Sequence, residues 1–272
     1  MRLIPLLLYA AAAAAYAAHF AWRDPRTGRF ATALLGSGLL AHTFLIGMQT
    51  IEAGYAPLVG TTAAISAFIW LLGLAYLYVE LSSDERSMGV FVALLLVALG
   101  VIPALDPEIS RRPPLLQSPL FSIHVLAMLF AYASFALAGV LGFTYVLMFK
   151  EIKAKHLGFF YTRLPSLRVL DQMNGRAVVV GWIFLTVGVV VGGIWAMQVQ
   201  SSPDPRAQAM SLGDPKILVA VVSWVLYTFA VYARKTIGWS GRRAAWLSAI
   251  GFVIVLLNFI PVGYFLTRSH NF

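Results

Sequence analysis

The sequence predicts an all-α integral membrane protein: a bundle of about eight transmembrane helices with both termini on the outer (periplasmic) side. Three observations carry that reading. The chain of 272 residues is 60% hydrophobic and 11% charged, whereas soluble domains are roughly half apolar and about a quarter charged. Its mean hydropathy is +0.81. Apolar runs of about twenty residues recur along its length, each long enough to cross the hydrocarbon core as a helix. These runs are apolar all round, so no single soluble core could bury them.

The first run, within MRLIPLLLYAAAAAAYAAHFAW, has one Arg ahead of an Ala-rich stretch and could be mistaken for a signal peptide. It extends to about twenty residues and is followed by Arg23, Arg26 and Arg29, so it is expected to be a retained first span. The other spans are expected near 30–50, 60–80, 88–105, 119–149, 177–200, 215–234 and 244–267. Thr61 and Thr62 are candidate caps for the third span, and Pro103 is expected to end the fourth. Arg111-Arg112-Pro113-Pro114 reads as an extended outer connection, because each residue before a proline is pushed from the helical region. Ser118-Pro119 has the pattern of an N-cap followed by Pro at the first helical position. Pro261, beside Gly263, predicts a kink in the last span.

The long inner loop 150–176 mixes Phe159, Phe160, Leu164, Leu167 and Leu170 with Arg163, Arg168 and Asp171. It suits either a short helix lying on the membrane surface, interrupted near Pro165, or a plain connecting helix with snorkelling arginines. No internal repeat or linker divides the chain, so residues 1–272 read as one polytopic membrane domain.

Charge sets the orientation. The net charge of +9 comes from 20 Lys and Arg against 11 Asp and Glu. With the N-terminus outside, the inner loops hold Arg23, Arg26, Arg29, Arg86, Lys150, Lys153, Lys155, Arg163, Arg168, Arg176, Arg234, Lys235, Arg242 and Arg243. The outer side holds only Arg2, Arg111, Arg112, Arg206, Lys216 and Arg268. This is the positive-inside bias of a membrane protein, so the basic balance implies membrane lipids as partners and no nucleic acid. The chain has no cysteine, which excludes thiol redox chemistry, a thiolate metal site and thioether attachment of haem to this chain.

All eleven acids fall in loops or at span ends, Glu80 among them, which argues against an ion-coupled pump with a membrane-embedded carboxylate. The five histidines separate by depth. His156 falls in the basic inner loop and His19 at the inner end of the first span. His42 lies well inside the second span, near Gly36, Ser37 and Gly38; it marks an intramembrane site, or it bonds a carbonyl on a neighbouring helix. His124 and His270 both fall at outer ends of spans. Two neutral imidazoles facing one another across an apolar surface are what a haem iron needs, with Trp195, Met197 and Met210 as candidate surface and Phe121 and Tyr264 nearby at the outer end. Two ordinary interfacial histidines fit the residues as well.

The C-terminal half resembles the haem-handling cytochrome c assembly family, of the CcsA and CcmC type. Trp195-Ala196 closes one span, Asp214-Pro215-Lys216 follows, and Trp224 comes ten residues after the Asp. Next comes GWSGRRAAWLSAIGFVIVLLNFIPVGYFLTRSHNF, and upstream HVLAMLFAYASFALAGVLG is similar to the helix that opens on the family's first outward histidine. The resemblance covers roughly 120–272; residues 1–119 add four spans that match only in general character. It implies haem b held by His124 and His270 as iron ligands, with Trp195 and Asp214 at the cofactor.

The resemblance further implies c-type cytochrome biogenesis at the outer face of a bacterial inner membrane. Other assembly proteins and apocytochrome c are the expected partners. No catalytic residue is expected in this chain, and any enzymatic role would be as one component of a haem lyase. The chain departs from the family where the outer loop should be tryptophan-rich: SSPDPRAQAMSLGDPKILV keeps the DPK but has Ile217 and Val219 after it. Tyr232 stands where many members carry a histidine. The sequence therefore reads as a divergent branch. Two other functions fit it: a haem-free accessory protein that keeps the fold, and a small-solute or metal permease using His42.

Overall fold

The computed structural model describes residues 3–58, 60–105, 118–155, 158–200 and 215–257. Within them the chain is helical, with no strand. The helices are α1 (Leu3–Trp22), α2 (Pro25–Ala53), α3 (Thr61–Ser83), α4 (Gly89–Leu105), α5 (Pro119–Lys153), the short α6 (Phe159–Arg163), α7 (Leu167–Gln200), α8 (Pro215–Tyr232) and α9 (Arg242–Leu257). Among the described residues six helices are long and apolar enough to cross a membrane, and α4 is a shorter apolar helix. Large apolar side chains such as Leu7, Phe44, Ile51 and Val190 point outward, as a lipid-facing surface requires.

Several helices run past the apolar stretches that predicted them. α2 starts at Pro25, because Asp24 caps it by accepting from the Thr27 amide at 2.8 Å and the Thr27 hydroxyl at 2.7 Å. The Thr27 hydroxyl, followed by the Thr27 and Arg26 amides, holds the Asp24 carboxyl below its usual range. α7 starts at Leu167 rather than 177, so the polar residues Arg168, Asp171 and Asn174 form its first turns. Among the described residues of 150–166, the five-residue α6 is thus the one separate helix. Arg163 of α6 is fastened to the carbonyls of Phe20 and Ala21 at the end of α1 rather than snorkelling to lipid.

Two other expectations are corrected. Gly60 precedes α3 at φ 93° with no side-chain cap, so the threonines do not cap it. Pro103 lies inside α4, two residues before its end. Ser118 does cap α5, accepting from the Leu120 amide at 3.3 Å. Pro261 and its kink lie outside the described residues.

The helices form two groups joined along α3 and α5. α1 packs on α2 and α4, α3 packs on α4, α5 and α7, and α5 packs on α7 and α9. α5 is the hub because it is built of small residues: Ala127, Ala131, Ala133, Ser134, Ala136, Ala138, Gly139 and Gly142 are all buried. A Cβ at Gly142 would stand 2.7 Å from the carbonyl oxygen of Ala245, and one at Gly139 would meet Phe252. Those two contacts make α5 and α9 antiparallel, so α9 runs toward the end of α5 that carries His124.

At the opposite end, Asp171 of α7 ties together the start of α9 and the π-turn Ala233–Ile237 that ends α8. Its carboxylate accepts from Arg234 at 2.9 and 3.1 Å and from the Gly241 amide at 2.9 Å. Asn174, one turn on, donates to the carbonyl of Ala138 in α5 and accepts from Ser248 in α9. The glycine of GRRAAW is thereby explained, since Gly241 adopts φ 62° and its amide faces Asp171.

Candidate functional site

His124 lies about one and a half turns into α5. It is half-buried, facing α7. Its Nδ1 is 2.8 Å from the carbonyl oxygen of Gly188. A carbonyl only accepts, so Nδ1 carries the proton and the neutral ring keeps its lone pair at Nε2. Such a backbone anchor on the far nitrogen is the arrangement that orients a metal-binding imidazole.

The ring fits close against α7 because residue 192 is glycine. A Cβ there would come within 2.4 Å of Nδ1 and 2.6 Å of Cε1. One turn further along α7, Trp195 is 4% exposed and packs on Phe121 of α5 with ring centroids 5.1 Å apart. Val199, Leu120 and Val125 complete this small apolar cluster. The indole N–H of Trp195 is buried with no hydrogen-bond partner among the described residues, although a buried Trp usually finds one.

The structure thus brings His124 and Trp195 together. His270 and Asp214, the other two residues expected at this site, lie outside the described residues, as do Met210 and His156. Met197 is 68% exposed. Tyr232 points outward at the far end of α8, more than half exposed.

His42 belongs to a different place. It faces α1 and α3, with Nδ1 3.1 Å from the Tyr9 hydroxyl and Nε2 2.9 Å from the Ser66 hydroxyl. Its partners are thus two side chains of neighbouring helices, not a backbone carbonyl. Among the described residues no three His, Cys, Asp or Glu side chains gather as they would around a metal ion. His19, in the last turn of α1, bonds the Asp24 carbonyl at 2.8 Å.

One buried group was missed. Glu80 is near the end of α3, as the sequence says, yet it is fully buried, accepting from Tyr16 at 2.6 Å and from Thr32. Tyr76 and Glu80, four residues apart on α3, carry the signal, since that spacing puts both on one helix face. Nothing in the sequence alone tells whether that face looks to lipid or to α1.

A bundle of membrane-length helices, with an anchored imidazole and a buried tryptophan toward one end, defines a polytopic membrane protein. The family model described as cytochrome C assembly protein matches residues 32–270, and the chain belongs to that family. Among its relatives, the cytochrome c biogenesis protein CcsA of Guillardia theta is 26% identical, with 87% of this chain and 84% of the relative covered. The CcsA of Chlamydomonas reinhardtii is 25% identical over 88% of this chain and 67% of its own. That of Microcystis aeruginosa is 24% identical, covering 84% of this chain and 82% of its own.

Proposed function

We propose that the protein binds haem at the outer face of a bacterial inner membrane and serves c-type cytochrome biogenesis there. The observation that carries this reading is the His124 imidazole, whose Nδ1–H donates to the Gly188 carbonyl and so makes Nε2 the nitrogen with the lone pair that a metal ion needs. Gly192 lets the ring lie against α7, and Trp195 with Phe121 supplies an apolar wall beside it. The antiparallel run of α9 along α5 supports His270 as the second ligand, since the chain leaves Leu257 heading toward His124's end of the bundle. The relatives named CcsA support the biological role.

In this reading the haem iron supplies the reactive centre, and this chain supplies position: two imidazoles to hold the ring and aromatic side chains to cover it. Transfer to an apocytochrome would need partner assembly proteins. The test is the visible spectrum of the purified protein after haem supplementation. A Soret band at stoichiometric haem is expected; a protein that takes up none is the haem-free accessory instead.

The reading also requires the Trp195 end of α7 to be outside and residues 150–166 inside, as the basic residues predict. Reporter fusions at Asp204 and Lys155 should therefore give opposite readouts. Matching readouts would place one of the two ends on the wrong side.

A further inference from the structure

Beside His42 lies a cavity of about 160 Å³, lined by side chains of α1 to α4 and by Leu126 of α5. Its walls are largely apolar, with Leu6, Leu45, Ile46 and Trp70 among them. Its polar lining is Gln49, Thr62 and the hydrogen-bonded chain Tyr9–His42–Ser66, whose three members all line the space. From this juxtaposition we infer that the cavity is a binding site for a single-ring quinone, a second site independent of the haem reading.

Size comes first. A cavity of roughly 150 Å³ with an apolar lining accommodates one benzene ring. The space beside His42 is of that class and is much too small for a porphyrin.

Hydrogen counting then selects the chemistry. With His42 neutral, the chain has three polar hydrogens: the Tyr9 hydroxyl, one imidazole N–H and the Ser66 hydroxyl. Its two internal hydrogen bonds use two of them. If Tyr9 donates to Nδ1, then Nε2–H donates to Ser66, and the Ser66 hydroxyl has a hydrogen left. If Ser66 donates to Nε2, then Nδ1–H donates to Tyr9, and the Tyr9 hydroxyl has it. In either tautomer one donor is left at an end of the chain, inside a membrane, where an unmet donor is costly.

The complement is a ligand that brings acceptors and no donors. A benzoquinone does this with its two ring carbonyls, and it reaches the site because it dissolves in the bilayer. A hydrocarbon would leave the donor unmet. Because the surplus hydrogen can appear at either end, the chain can serve a carbonyl at Tyr9 or at Ser66.

Duroquinone and durene test this, being tetramethyl-substituted rings of nearly the same shape with and without the two oxygens. Binding to the full-length protein in lipid nanodiscs is read from quenching of tryptophan fluorescence, Trp70 being in the cavity wall. Empty nanodiscs correct for partition into lipid, and durene is read by its competition with duroquinone. The expected result is saturable duroquinone binding at least about tenfold tighter than durene. The triple variant Tyr9→Phe, His42→Leu, Ser66→Ala should lose that preference. Ala104→Leu, which narrows the cavity and leaves the polar chain intact, should weaken both ligands. Equal affinities in the unaltered protein, or a duroquinone preference that survives the triple variant, overturn the proposal. So does binding indifferent to Ala104→Leu.

Discussion

Haem retention should fall about tenfold or more when His124 is replaced by alanine, with the Soret band lost in proportion. The size of the effect follows from what the side chain would provide, which is one of two iron ligands rather than one contact among many. Added imidazole should restore part of the band in His124→Ala, because the missing group is then supplied from solution. His270→Ala should behave alike. Gly192→Val separates ligation from mere packing: its Cβ would stand 2.4 Å from Nδ1, forcing the ring off the Gly188 carbonyl while leaving the imidazole present. It too should lose haem, whereas Trp195→Ala, which removes a wall and no ligand, should lose less. If His124→Ala keeps the full band, iron is held elsewhere and the outward site is wrongly assigned.

The membrane class and nearly every helix were legible in the sequence, because lipid forces long apolar runs into helices and leaves few alternatives. The helix starts were less legible. Asp24-Pro25 and Leu167-Arg168 begin helices in polar sequence, where hydropathy has no signal and the stabilising partners are a cap and a distant Arg234. Ser118-Pro119 was read correctly because its cap is local. Depth along a helix was also legible, which is how His124 and His42 stood out. Facing was not: that His124 meets Gly188 and Gly192, and that Glu80 meets Tyr16, depends on how helices rotate against one another. Hydrophobic periodicity, the usual guide to rotation, is weak in helices that are apolar on every side. The Trp195–Phe121 contact was half visible, since both residues were placed at the outer end but nothing paired them.

The largest loss of stability is expected from Asp171→Ala, at about 2–3 kcal/mol. Three elements far apart in sequence meet at this one carboxylate: α7, which bears it, the π-turn through Arg234, and the entry to α9 through Gly241. Removing it leaves the Arg234 guanidinium with the Asp171 carbonyl and Asn174 only, at 3.2 and 3.3 Å, and takes the partner from the Gly241 amide. The pair is partly solvated, Arg234 and Asp171 side chains being 21% and 17% exposed, which keeps the cost below that of a fully buried pair. Asp171→Asn should cost less, because the amide oxygen still accepts one of the hydrogen bonds. Exposed Arg168, three residues earlier, is the control, and its replacement by alanine should change stability by less than about 0.5 kcal/mol. Thermal unfolding of the three variants in one detergent measures this order. An Asp171→Ala protein as stable as the parent would mean that helix packing along Gly139 and Gly142 alone holds α9 in place. The knot matters for the site because His270 follows α9 in the chain. Loosening its far end should therefore weaken haem retention without touching either imidazole.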